Sequence, residues 1–116
     1  MENLTTESFK EKVFDYVNNK EWSFNGTKPA VIDFYADWCA PCKTIAPILE
    51  ELDSEYNNVD FYKVDTENQS ELAQTFQIRS IPSILFIPVN EKPQMAMGAQ
   101  PKEVLVKIME DVFKLE

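Results

Sequence analysis

The stretch DFYADWCAPCKTIAP, residues 33–47, holds both cysteines of the 116-residue chain, Cys39 and Cys42, in a C-x-x-C spacing with Pro41 between them. Just upstream, AVIDFYA (30–36) is a short apolar run rich in β-formers. It reads as a strand buried on both faces, interrupted by one acid, Asp33. Downstream, Ile45, Ile48, Leu49, Leu52 and Tyr56 recur at helical spacing. They predict a helix over 39–56, with Pro47 inside it as a kink. The cysteine pair therefore falls where a buried strand hands over to a helix.

Working outward, Ser8 and Glu11 fit a capping box, and Phe9, Val13, Tyr16 and Val17 carry a helical period to about residue 19. The segment NNKEWSFNGTKP is a polar connector. VDFYKVD (59–65) reads as a second strand, and NQSELAQTF (68–76) as a short helix capped by Asn68. SILFI (83–87) follows Pro82 as a strand, PQMAMG offers another, and Pro101 opens a last helix. Val104, Leu105, Ile108, Met109, Val112 and Phe113 form that helix's apolar stripe. The order α-β-α-β-α-β-β-α implies parallel pairing across the helices and an antiparallel final hairpin. The fold class is α/β, a central mixed sheet flanked by helices on both faces, in one domain over 1–116.

Eleven basic against twenty acidic side chains leave a net charge of −9. Phosphate binding needs clustered Lys and Arg, so nucleic-acid and anionic-membrane partners are not expected. No apolar run is long enough to span a bilayer. The start MENLTTESFKEKVF has two early acids and no apolar signal core, so a cytoplasmic protein is expected. A periplasmic protein whose signal had been trimmed would look the same.

Three uses compete for the cysteines. Structural zinc takes four Cys or His ligands, and this chain has two Cys and no His. A dimer sharing a metal remains open. A structural disulfide across so small a loop restrains little of the unfolded chain. A redox dithiol needs two sulfurs within bridging reach, one of them activated, and C-x-x-C at a helix start after a strand meets that need. Cys39, at the helix N-terminus, is favoured as the nucleophile, because free N–H groups and the helix dipole stabilise a thiolate. Cys42, one turn deeper, is expected to be more buried and less ionised. Asp33 in an apolar strand is costly to bury charged, which raises its pKa, unless the strand lies at an edge with Asp33 exposed. Lys63, between Tyr62 and Val64, is a matching oddity that alone would read as an outward-facing lysine.

These segments together resemble the thioredoxin family. VIDFYADWCAPCKTIAPILEELDSEY is similar to its active-site strand and helix, and FYKVDTE to its next strand. IRSIPSILFI is similar to the loop and strand that carry its cis-proline, and MGAQPKEVL to its last turn and helix. The resemblance runs from Phe9 nearly to the end. It implies a protein-disulfide reductase with no cofactor. Cys39 would attack a substrate disulfide, and Cys42 would resolve the mixed disulfide, leaving a redox-active Cys39–Cys42 disulfide. Asp33, near Lys63, would handle the Cys42 proton. Trp38, Ala40, Pro41, Ile81, Pro82, Gly98 and Ala99 would form the substrate-docking surface, with Pro82 cis. The implied partners are disulfide-containing proteins and a thioredoxin reductase, and a monomer is expected. A thioredoxin-fold binding module and a periplasmic isomerase-type module are the alternatives, beside the metal-bridged dimer.

Three positions and one turn segment depart from the family pattern. Ala40 replaces the usual glycine, Tyr35 stands where many relatives have tryptophan, and Glu67 stands for a common aspartate. PVNEKP replaces a tight Asn-Gly turn and predicts a longer connection.

Overall fold

The computed structural model describes residues 1–115. Its elements run β1 (Glu2–Asn3), α1 (Thr6–Lys12), β2 (Ala30–Tyr35), α2 (Ala40–Glu55), β3 (Asp60–Asp65), α3 (Ser70–Thr75), β4 (Ser83–Ile87), β5 (Gln94–Met97) and α4 (Lys102–Phe113). The five strands form one mixed sheet in the order β1-β3-β2-β4-β5. β1, β3 and β2 run parallel, whereas β4 and β5 are antiparallel to their neighbours. The six residues 88–93 join β4 to β5, the longer turn that PVNEKP predicts.

The period-2 alternation of strands sorts side chains between two cores. Ile32, Phe34, Val64, Leu85 and Ile87 pack on one face against Phe9 and Val13 and against Leu72 of α3. Val31, Phe61, Ile84 and Phe86 pack on the other, against Ile45, Leu49 and Leu52 of α2 and Leu105 and Met109 of α4. Complete burial of one such side chain contributes about 1.5–3 kcal/mol, so these two layers hold the sheet between its helices. β2 lies at the centre, buried along nearly its whole length.

Several local expectations change. The first helix starts one turn before the expected capping box. Thr5 is the N-cap; its Oγ1 accepts the Ser8 N–H at 3.0 Å, and Ser8 Oγ accepts the Thr5 N–H at 2.8 Å. It also stops at Lys12 instead of near residue 19. Asp15 Oδ1 accepts the N–H groups of Val17 and Asn18 at 3.2 and 3.3 Å, and this local turn competes with helix. Val17, assigned to the apolar period, is 64% exposed. The connector is ordered by aromatic packing, with the Trp22 and Phe14 rings 4.8 Å apart. Asn68 does not cap α3. Its side chain donates to Asp65 Oδ2, and Gln69 is the N-cap residue without a side-chain cap. Pro101 is the N-cap of α4 and precedes its first turn, and Val104 of the apolar stripe faces outward. β1, absent from the sequence reading, adds a parallel edge strand beside β3.

Candidate active site

Cys39 ends the loop after β2 and is the N-cap of α2, in an extended conformation (φ −89°, ψ 107°). Its Sγ accepts the backbone N–H of Cys42 at 3.2 Å, so sulfur takes the role that a Ser or Asp oxygen plays in an ordinary cap. Pro41, in the first turn, has no N–H to leave unpaired. The two cysteines are joined in a disulfide with Cα atoms 5.3 Å apart. In the reduced protein the same helix terminus favours negative charge on Cys39. The expected contrast in burial is absent from the disulfide form: Cys39 is 4% and Cys42 3% exposed. In this disulfide form both cysteines pack with Ala36 and against Ile81.

Asp33 lies behind the pair. It is buried on the central strand with β3 on one side and β4 on the other, which removes the edge-strand reading. Burial pushes its carboxyl up to about 7, and the positive charge of Lys63 pulls in the opposite direction. Asp33 Oδ1 has no hydrogen-bond partner among the described residues. A cavity of about 160 Å³ connects this carboxyl with Cys42, lined also by Tyr35, Ala36, Ala46 and Lys63. Lys63 is half-buried and faces this cavity, so it is not the outward lysine of the simpler reading.

The residues expected to dock substrate gather around the disulfide. Trp38 is 70% exposed, and its indole N–H donates to Glu67 Oε1 at 2.8 Å. Ala40 and Pro41 are exposed beside it on the first turn of α2. Ile81 packs against the pair, and its carbonyl oxygen lies 3.8 Å from Cys39 Sγ. The Ile81–Pro82 peptide is cis. Gly98 has φ +90°, and its N–H donates to the Pro82 carbonyl at 2.8 Å, which ties the last turn to the proline loop. Ala99 follows, exposed. The sequence reading missed the partners of Lys63 and Tyr35: the Tyr35 hydroxyl donates to Asn3 Oδ1 at 3.0 Å, and Lys63 Nζ lies over the Tyr35 ring. Asn3 sits in the overlooked β1, and no local motif marks it.

A helix-capping disulfide on a mixed sheet, with a buried carboxyl behind it and the Ile81 carbonyl of a cis Ile81–Pro82 peptide in front, defines a protein built for thiol–disulfide exchange. The family model described as Thioredoxin matches residues 1–111. The chain is 50% identical over 111 residues to the thioredoxin of Borreliella burgdorferi, with 95% of each chain covered. It is 37% identical over 89 residues to the bifunctional thioredoxin reductase/thioredoxin of Mycobacterium leprae, covering 76% of this chain and 19% of that protein. The crystal structure of Malassezia sympodialis thioredoxin superposes with a TM-score of 0.75 at 32% identity, covering 95% of this chain and 89% of that one. The chain belongs to the thioredoxin family and is a thiol–disulfide oxidoreductase.

Proposed function

We propose that the protein is a general protein-disulfide reductase in which Cys39 attacks and Cys42 resolves. The Cys39 thiolate attacks one sulfur of a substrate disulfide; a Cys39–substrate bond forms, and the other substrate sulfur leaves as a thiolate and takes a proton. Cys42 then loses its proton to the Asp33 carboxylate and attacks Cys39 Sγ. The Cys39–Cys42 bond forms, the mixed disulfide breaks, and the second substrate thiolate leaves. Two electrons pass from the dithiol to the substrate. The observation that carries the assignment is the position of Cys39 Sγ, which accepts a helix-terminal N–H and faces the Ile81 carbonyl.

Trp38, Ala40, Pro41, Ile81, Pro82, Gly98 and Ala99 form the docking surface, where an extended substrate strand pairs with the Ile81 backbone. Oxidised protein is re-reduced by a thioredoxin reductase, a pairing supported by the relative that joins both activities in one chain. The whole chain acts as one thioredoxin domain, monomeric and cytoplasmic. No helix among the described residues is long and apolar enough to cross a membrane.

Insulin reduction driven by dithiothreitol tests the activity. Wild-type protein is expected to turn over and Cys39→Ser to be inert. An inactive wild type, or full turnover by Cys39→Ser, would reject the proposal.

A further inference from the structure

Asn3, Lys63 and Asp33 lie on one rung of the sheet: Asn3 pairs with Lys63 across β1–β3, and Lys63 with Asp33 across β3–β2. Tyr35 follows Asp33 by two residues, so both point to the same face. The Tyr35 hydroxyl is hydrogen-bonded to Asn3 Oδ1, so its side chain spans from β2 across β3 to β1. Lys63 Nζ lies 5.6 Å from the centre of that ring, within cation–π range. Lys63 and Asp33 line the same cavity, yet no ion pair joins them among the described residues. The ammonium thus has two competing partners, an aromatic face and a buried carboxylate, and it rests on the first.

The other groups around Asp33 offer no equivalent control. From α2, Cys42 is held in the disulfide, and Lys43 and Glu50 line the cavity. Asp37 lies on the loop after β2, and the amino group of Met1 is paired with Glu50 and Asp53. From β4, Asp33 meets apolar Ile84. Lys63 is the charge that acts on the Asp33 carboxyl.

We propose that Tyr35 is a positioning residue: anchored by Asn3, its ring holds the Lys63 ammonium off Asp33 and so keeps the Asp33 proton tightly bound. Its relevance to turnover rests on the reading of Asp33 as the proton partner of Cys42. A carboxylate approached by a free cation gives up its proton more readily, whereas an ammonium parked on a ring exerts a weaker pull.

Carboxyl-carbon NMR titration of Asp33 in the oxidised protein tests this in wild type, Tyr35→Phe, Tyr35→Leu, Lys63→Met and the Tyr35→Leu/Lys63→Met pair. Tyr35→Leu is expected to weaken proton binding at Asp33 about tenfold, the effect of an opposite charge coming within reach. Tyr35→Phe keeps the ring and is expected to stay within about threefold of wild type. In the Lys63→Met background, Tyr35→Leu is expected to have little effect. An equal drop in both backgrounds would mean that the ring acts only by burial, and no drop in either would mean that it does not act; each overturns the proposal. Wild type alone gives a second check, because the Lys63 ε-methylene protons must be shifted upfield by the ring; unshifted protons overturn the proposal. Resolution of a mixed disulfide by Asp33→Asn is read separately. Wild-type speed there would remove the proton-transfer role and leave the titration result standing.

Discussion

Asp33 and Lys63 are direct partners in the parallel β2–β3 register, yet among the described residues Asp33 Oδ1 has no hydrogen-bond partner, and burial raises the carboxyl to about 7. An unfolded aspartate titrates near 3.8, and the folded one at about 7. A raised acid pKa means that folding favours the protonated form. Stability is full below the unfolded value, falls as pH rises through the window from about 4 to 7, and is flat above it. The gap of about three corresponds to a penalty on the order of 4 kcal/mol at pH 8. Asp33→Asn is therefore expected to gain several kcal/mol relative to wild type on going from pH 4 to pH 8. Denaturant unfolding of the oxidised proteins at the two pH values measures this, and a pH-independent difference would contradict it.

In the proposed mechanism the same carboxyl sets a rate, because Cys42 gives its proton to Asp33. Asp33 must be ionised to accept the Cys42 proton, so the resolving step is expected to quicken as pH rises through about 7. Asp33→Asn is expected to slow it about a hundredfold near neutrality, the usual worth of a positioned base. Stopped-flow release of a mixed-disulfide leaving group gives both the profile and the ratio.

Trp38→Ala tests the proposed docking role apart from stability. The Trp38 ring is largely exposed, and its indole N–H donates to Glu67 Oε1. Trp38→Ala is expected to alter unfolding free energy by no more than about 0.5 kcal/mol. Removing an aromatic anchor is expected to raise KM for insulin about tenfold with kcat nearly kept. A fall in kcat alone would place Trp38 in the chemical step instead.

Gly98 tests the last turn. The nearest atom to an added Cβ is Gln100 Nε2 at 3.9 Å, so space is available. The φ of +90° is the obstacle, since side chains with a Cβ rarely adopt it. Gly98→Ala is expected to cost about 1–2 kcal/mol in chemical denaturation. A neutral result would show that a side chain is tolerated at this φ at little cost.

The legible parts of the fold were those written in local pattern. AVIDFY and SILFI form buried strands because short runs rich in β-formers, apolar except for Asp33 and Ser83, suit the inside of a sheet. The start of α2 was marked by Cys39 and Pro41 together, and the structure puts the cap there. β1 escaped because Glu2 and Asn3 carry no strand pattern, and only pairing with distant β3 makes them one. The early end of α1 turns on Asp15, whose side-chain hydrogen bonds outweigh an apolar spacing that continues to Val17. The cis Ile81–Pro82 bond leaves no residue-level signal of its own. Asp33 and Lys63 stood out as oddities, but their shared rung and the placing of the Lys63 ammonium over the Tyr35 ring depend on strand register, which sequence alone does not set.

The division of labour between the two sulfurs is the centre of the account, and trapping measures it most directly. Reduced Cys42→Ser, mixed with disulfide-containing insulin and run on a non-reducing gel, is expected to accumulate an adduct joined through Cys39 and cleared by dithiothreitol. Cys39→Ser is expected to form little. Equal adducts from both variants, or none from Cys42→Ser, would contradict the assignment of attack to Cys39 and resolution to Cys42.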